Sequence, residues 1–167
     1  QITIKNFSNL TLILYHTIYK TVSSLKDFYK NKKVFITGHT GFKGTWLTAC
    51  LLKFGSKIMG YSKPDSRLKI YKSMCHHNKV KNVYADILDY SYFRSKIINF
   101  KPQIIFHLAA QSLVSESYKF PLETVATNIM GTTNILNISL EVKSLNSLVI
   151  VTSDKCYLNR ELTRGYR

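Results

Sequence analysis

Acidic residues are scarce in this chain. It has nine Asp and Glu against 24 Lys and Arg, for a formal net charge of +15 over 167 residues. Nucleic-acid binding is the first function such a balance suggests. However, lysine far outnumbers arginine, the residue favoured for base and phosphate forks, and the lysines are scattered, meeting only in pairs such as Lys32–Lys33. Specific nucleic-acid recognition is therefore not expected, although an anionic nucleotide ligand would gain from the field. Cysteines are also few. Cys50, Cys75 and Cys156 are odd in number and have no paired spacing, which fits reduced thiols in a cytoplasmic protein. No cleavable signal is evident, and the apolar residues between Leu10 and Tyr19 form too short a run to cross a bilayer. No membrane partner is expected. Cys75, His76 and His77 tempt a metal reading, but adjacent side chains rarely aim at one ion and no second ligand pair is spaced to help. A polar loop is the better account, with no metal. There is no low-complexity segment.

What the chain does have is KVFITGHTGFKGTW, Lys33 to Trp46. Val34, Phe35 and Ile36 read as a buried strand. Gly38, Gly41 and Gly44 follow in a G-x-x-G-x-x-G string. An apolar periodic segment then begins (Trp46, Leu47, Cys50, Leu51, Phe54), as in a helix. Glycine permits positive φ and close approach of the backbone to a ligand, while a helix N-terminus offers unpaired N–H groups to a pyrophosphate. Set between a strand and a helix, the string points to a dinucleotide site. The bland alternative is a tight turn with no ligand.

Residues 1–31 differ from the rest: an added helix, an unstructured extension and sequence upstream of the true start are all compatible with them. From residue 32 to 167 the pattern alternates. Lys57 to Tyr61 reads as a second strand, and Lys63 to Asn78 as a polar connection with room for a short helix. Val80 to Ala85 is a third strand ending at Asp86. Asp89 is an N-cap candidate for a helix carrying Tyr90, Phe93, Ile97 and Ile98, stopped at Lys101–Pro102. Gln103 to Leu108 is a fourth, apolar strand. Pro121 opens a long helix to about Lys143, and Ser147 to Thr152 is a fifth strand. This order means an α/β fold, a doubly wound parallel sheet of Rossmann type, with residues 32–167 as its dinucleotide-binding domain. Ligands bind at the strand ends of such sheets, here Gly38–His39–Thr40, Tyr61–Ser62, Asp86–Ile87, Ala109–Ala110–Gln111 and Ser153–Asp154–Lys155. Asp86 is either an acceptor for an adenine amino group or a cap or turn residue.

GHTGFKGTW, YADILD, FHLAAQSLV, ETVATNIMGTTNIL and VTSDKCYLNRE, in that order, resemble the extended short-chain dehydrogenase/reductase family, and within it the CDP-glucose 4,6-dehydratase subgroup. The resemblance runs from about Lys26 to the end. It implies a lyase of polysaccharide biosynthesis that acts on a nucleotide sugar with bound NAD: the sugar is oxidised at C4, water is lost across C5–C6, and the hydride returns at C6. It assigns Ser153 to the C4 oxygen, Asp154 to the acid for the 6-hydroxyl and Lys155 to the base position. Gly38, Thr40, Gly41, Phe42, Lys43 and Gly44 would lie along the pyrophosphate, Ser62 at a ribose hydroxyl, and Asp86 and Ile87 at the adenine. Leu108, Ala109, Ala110 and Thr127 would line the ribose and nicotinamide, Gln111 and Ser112 would meet substrate, and Asn128, just before a turn at Met130–Gly131–Thr132, would support the active site. A homodimer or higher homo-oligomer is also implied.

The chain departs from the family in places. Ser112 and Ser115 stand where Pro and Arg are common. No acidic residue ends the second strand, and Lys63 and Arg67 flank Asp65, so charge does not secure NAD over NADP. The family's Tyr-x-x-x-Lys pair is not found after the fifth strand. A chain that begins at Gln1 and ends at Arg167 is read as a fragment, inactive alone. The alternatives are a sugar-nucleotide epimerase, a dTDP- or GDP-sugar dehydratase, and a dinucleotide-binding module without chemistry.

Overall fold

The structure, a computed structural model, describes residues 20–64, 68–74, 79–153, 158 and 160–161. Five strands, β1 (Lys33–Thr37), β2 (Lys57–Ser62), β3 (Val80–Tyr84), β4 (Ile104–His107) and β5 (Ser147–Ile150), form one sheet in the order β3-β2-β1-β4-β5. Every pairing is parallel. The strand order reverses direction between β1 and β4, which opens a crevice beyond their C-terminal ends.

Alternation along β1 builds two cores at once. Phe35 faces Tyr61, Phe93, Ile97, Ile105 and Ile135 on one side of the sheet. Val34 and Ile36 face Leu51, Ile58, Val80 and Ile104 on the other. All three β1 side chains are fully buried, each worth about 1.5–3 kcal/mol against exposure. The first side is covered by α4 (Tyr90–Phe100) and α7 (Gly131–Ser139), the second by α2 (Phe42–Lys53). Residues 20–29 form α1. Its last turn is tied down where Tyr29 stacks on Phe54 at 6.2 Å and the Tyr29 carbonyl accepts from Ser56 at 3.0 Å.

The remaining helices are α3 (Leu68–Met74), α5 (Val114–Lys119) and α6 (Pro121–Val125). Asp89 caps α4 as expected, its carboxylate accepting from the Tyr92 amide at 3.1 Å. Lys101 ends the helix in the left-handed region at φ 54°.

The structure corrects several expectations. The buried stripe of α2 is Gly44, Thr45, Thr48 and Leu51, while Trp46 and Cys50 are exposed. Small residues let the helix start close against the glycine turn, and Thr48 meets its hydroxyl's need by donating to the Gly44 carbonyl at 2.7 Å. The long helix from Pro121 is broken by a π-helical turn, Ala126–Met130, and ends at Ser139. Met130–Gly131–Thr132 is therefore helical, not a turn. Helix α5 was not expected at all, since none of its residues is buried and it has no apolar stripe to betray it. Strands β4 and β5 are each shorter than their apolar runs suggest.

Candidate functional site

The register sets the end of β1 beside the ends of both neighbours, pairing Thr37 with Tyr61 of β2 and with His107 of β4. The chain must then leave the sheet at once, and Gly38 does so at φ 68°. A Cβ there would stand 2.8 Å from the Ala109 nitrogen and 2.8 Å from the Leu108 carbonyl carbon. At Gly44 a Cβ would overlap the Gly38 carbonyl oxygen and reach the His39 Cα at 2.8 Å. Gly41 is less confined, with the Gly38 oxygen 3.3 Å from the position of its Cβ. The turn is thus pressed against both the β4 tip and its own helix.

That helix starts without a cap. Gly41 at its N-cap makes no side-chain hydrogen bond, and the first turn holds no acidic residue. It holds Lys43 instead, exposed beside Phe42. A cation at the positive end of a helix dipole is unfavourable by itself and favourable once an anion sits between them. The cradle without Cβ atoms, the open amides and the misplaced lysine fit a diphosphate.

Beneath the turn lies a polar network that the sequence did not advertise. His39 is fully buried. Its Nδ1 lies 2.8 Å from Ser62 Oγ and its Nε2 lies 3.0 Å from Asn82 Oδ1, which also accepts from the Tyr71 hydroxyl at 2.6 Å. Ser62 Oγ in turn accepts from the Thr40 amide at 3.4 Å. Ser62 and Thr40 are both nearly buried, and Ser62 props the turn from beneath. The His39 ring also occupies the space where a Cβ on Gly60 would stand.

At the ends of β2 and β3, Asp86 makes a turn bond and an ion pair. Its Oδ1 accepts from the Leu88 amide at 3.0 Å, and its Oδ2 pairs with Lys63 Nζ at 2.8 Å across the ends of β2 and β3. Ile87 is buried, with its side chain in the core under Gly131 and its carbonyl accepting from Asn134 at 2.9 Å.

On the other side of the turn, Thr37 Oγ1 accepts from the Leu108 and Ala109 amides, each at 3.1 Å, and lies 2.8 Å from His107 Nδ1. His107 Nε2 is 3.3 Å from Thr132 Oγ1. Asn128, within the π-helical turn, grips Gln111 at both ends of its backbone, accepting from its amide at 2.8 Å and donating to its carbonyl at 2.9 Å. Such π turns concentrate at functional sites. The Gln111 amide side chain is committed to Leu113 of its own loop and to Thr124 Oγ1 of α6. Gln111 therefore shapes the loop, leaving Ser112 exposed beside it. Leu108, Ala109 and Thr127 are half-buried and Ala110 is exposed. Ser153 is exposed just after β5. Asp154, Lys155, Asp65, Arg67 and the Cys75–His77 group lie outside the described residues.

Sequence reasoning missed Thr37, His107, Asn82 and Thr132. One signal was available: β1 and β4 are apolar runs that each close on a polar residue, Thr37 and His107, and parallel register brings those two together.

Burial alone lowers the His107 pKa to about 4 from an ordinary 6.5. Above pH 6.5 the ring is neutral in both folded and unfolded chains, and stability is unaffected. Between pH 6.5 and 4 the unfolded chain takes up a proton that the folded one refuses, so stability falls as the pH falls. The loss levels off below pH 4, at roughly 3 kcal/mol for a shift of about 2.5 units. Urea melts of wild type and His107→Asn between pH 7 and 4 check this. Wild type should lose stability steeply over that range and the variant less so, and parallel curves would refute the assignment to His107.

The sheet order, the switch-point crevice and the glycine turn define an NAD-type Rossmann domain of the extended short-chain dehydrogenase/reductase class. A family model described as GDP-mannose 4,6 dehydratase matches residues 35–161, and the chain belongs to that family. It is 42% identical over 143 residues to the CDP-glucose 4,6-dehydratase of Salmonella typhimurium, a match covering 85% of this chain and 40% of that enzyme. Among solved structures, the epimerase Mth375 of Methanothermobacter thermautotrophicus superposes with a TM-score of 0.79 at 21% identity, over 89% of this chain and 43% of that one. The UDP-glucose-4-epimerase of Stenotrophomonas maltophila, solved with bound NAD and formylated UDP-arabinopyranose, gives 0.69 at 23%, over 81% and 41%. The chain thus spans less than half the length of these relatives. Among the described residues no helix is long and apolar enough to cross a membrane, and no cluster of His, Cys, Asp or Glu could hold a metal ion.

Proposed function

We propose that this chain is the cofactor-holding part of a cytoplasmic, homo-oligomeric nucleotide-sugar 4,6-dehydratase that converts CDP-glucose to its 4-keto-6-deoxy product with bound NAD. The observation that carries the reading is an open glycine turn at the switch point in a chain 42% identical to a CDP-glucose 4,6-dehydratase. Bound NAD supplies a reversible hydride acceptor. The backbone from Gly38 to Gly44, with Thr40, Phe42 and Lys43, holds the pyrophosphate. Asp86 and the backbone of Ile87 meet the adenosine, and Leu108 to Ala110 with Thr127 line the nicotinamide side. Ser153 hydrogen-bonds the sugar C4 oxygen, Lys155 occupies the base position, and Asp154 holds the proton that the departing 6-hydroxyl takes. Together the C5 hydrogen and the C6 hydroxyl leave as one water. Gln111 and Asn128 fix the loop on which Ser112 meets the sugar.

Two strings have the Tyr-x-x-x-Lys spacing, Tyr29 with Lys33 and Tyr92 with Lys96. Neither lies after β5, where the family's base falls. Residues 1–167 should therefore bind NAD by calorimetry yet release no 4-keto-6-deoxy sugar from CDP-glucose, and turnover would place the base within them. A form supplying that tyrosine and lysine should prefer CDP-glucose to dTDP-glucose and GDP-mannose. Preference for another base would replace the substrate named here.

Cofactor preference follows from Lys63. No acidic residue ends β2, and Lys63 sits there paired with Asp86, so a 2′-phosphate meets an ion pair, not a lone carboxylate. NAD should be favoured over NADP by less than about a hundredfold (~2.7 kcal/mol), and Lys63→Ala should widen the gap. Titration of both cofactors decides, and a larger wild-type preference would mean that something other than charge reads the ribose.

A further inference from the structure

Thr37 Oγ1 has one hydrogen and two lone pairs. The Ala109 amide donates to it, and the Leu108 amide shares its hydrogen between it and the Thr37 carbonyl oxygen at 3.2 Å, so its own hydrogen is directed to His107 Nδ1, 2.8 Å away. Nδ1 must then be an acceptor, and the neutral ring carries its proton on Nε2, facing Thr132 Oγ1 at 3.3 Å. The Thr132 hydroxyl passes its hydrogen on to the Asn128 carbonyl at 2.7 Å. All these bonds run one way, from the tip of β4 into the helix that grips Gln111. A proton on Nδ1 would set donor against donor at Thr37. Burial opposes the same event, and among the described residues no charged side chain hydrogen-bonds or pairs with the ring.

We infer that His107, as its neutral Nε2–H tautomer, is a positioning residue for the dinucleotide: it locks the Leu108–Ala109 wall to the Asn128-bearing helix, so that the nicotinamide half of the cofactor meets a fixed surface. The inference rests on the cofactor reading above. It separates the two halves of the ligand. The diphosphate and adenosine are served by the glycine turn and Asp86, neither of which hydrogen-bonds His107, whereas the Leu108–Ala109 wall is tied to it through Thr37.

Two measurements test it. Nitrogen-15 NMR of the His107 ring in the protein should show Nδ1 unprotonated and Nε2 protonated from pH 8 down to pH 5.5. A ring protonated at Nδ1 in that range overturns the proposal without any variant having to fold. Calorimetric titration with NAD and with ADP, which lacks the nicotinamide half, supplies the functional arm. His107→Leu should weaken NAD about tenfold or more, the scale of two lost hydrogen bonds, and leave ADP within about threefold. Thr132→Val, a gentler cut in the same chain, should weaken NAD in the same sense. His107→Asn, which keeps an acceptor toward Thr37, should recover part of the loss. Equal weakening of NAD and ADP, or no weakening of NAD, would overturn the positioning role. Wild-type protein that binds neither nucleotide would overturn the cofactor reading itself, and this role with it.

Discussion

Gly44→Ala is expected to destabilise the domain by about 3 kcal/mol and to abolish measurable dinucleotide binding. The added methyl would overlap the Gly38 carbonyl oxygen and meet the His39 Cα at 2.8 Å and the Gly38 carbonyl carbon at 2.9 Å. All three are backbone atoms, and none can step aside cheaply. Gly38 is pinned by its amide to the Tyr61 carbonyl at 2.8 Å and packs without a Cβ against the tip of β4. Relief would have to come from sliding α2 away from the sheet, which uncovers Leu51 and opens the turn. Overpacking of this kind costs about 1–3 kcal/mol, and a rigid backbone obstacle belongs at the upper end. For a domain of this size that lowers the melting temperature by roughly 6–12 °C.

Gly41→Ala is the control. Its φ of −68° suits any residue, and its methyl would meet the Gly38 oxygen at 3.3 Å. Stability should fall by less than about 1 kcal/mol, yet NAD should bind more weakly, because on the proposed reading this glycine is where the backbone approaches the pyrophosphate. Thermal melts paired with calorimetry read both effects. If Gly44→Ala melts with the parent, the start of α2 is not packed as described. If Gly41→Ala binds NAD unchanged, the diphosphate lies elsewhere.

The same glycines show why the fold was legible and the site only partly so. A strand, a turn and a helix announce themselves through local chemistry: β-branched and aromatic residues in Val34–Ile36, glycine spacing, then helical periodicity. The apolar run at Ile104–His107 needs helices on both faces, and parallel order follows. The packing of α2 was misjudged because periodicity registers apolarity, whereas this helix buries Thr45 and Thr48. Close approach to a turn selects for small size, and hydropathy is blind to it. The π turn at Ala126–Met130 was invisible for a related reason. Its ATNIM sequence is ordinary helix, and the extra residue is held by long-range bonds from Asn128 to Gln111, 17 positions away.

Polar partners across the sheet were the least legible. His39 with Asn82, and Thr37 with His107, stand 43 and 70 residues apart in the chain. Their meeting depends on register, which sequence patterning fixes only after the strand order is known. With the order in hand, the helix from Asn128 through Thr132 to Asn134 emerges as one organiser of the site. It holds the Gln111 loop, the His107 ring and the Ile87 carbonyl at three successive points. A single helix thus ties the Gln111 loop, the tip of β4 and the Ile87 loop to one another.

Asp154→Asn, made in a form of the protein that also supplies the tyrosine and lysine, is expected to slow water loss by about 10²–10⁴-fold, the usual worth of a general acid. Oxidation at C4 asks nothing of this residue, since no proton is delivered to C6 in that step. Elimination does ask, because hydroxide is a poor leaving group and the 6-hydroxyl needs a proton as it departs. Asparagine keeps the size and a hydrogen-bond donor, but its amide proton cannot be transferred. A 4-keto sugar nucleotide that still carries its 6-hydroxyl should therefore accumulate on the protein, while 4-keto-6-deoxy product forms slowly. Mass spectrometry of quenched single turnovers separates the two, which differ by one oxygen atom, because the product has lost a water and regained the two hydrogens removed at C4. Deuterium from solvent should still enter at C5, because the ketone acidifies that hydrogen whether or not the hydroxyl can leave. Product formation at the parent rate would remove Asp154 from the acid's role. Loss of the keto intermediate along with the product would assign it instead to placing the sugar, and the acid would then have to be sought among the other groups around Ser153.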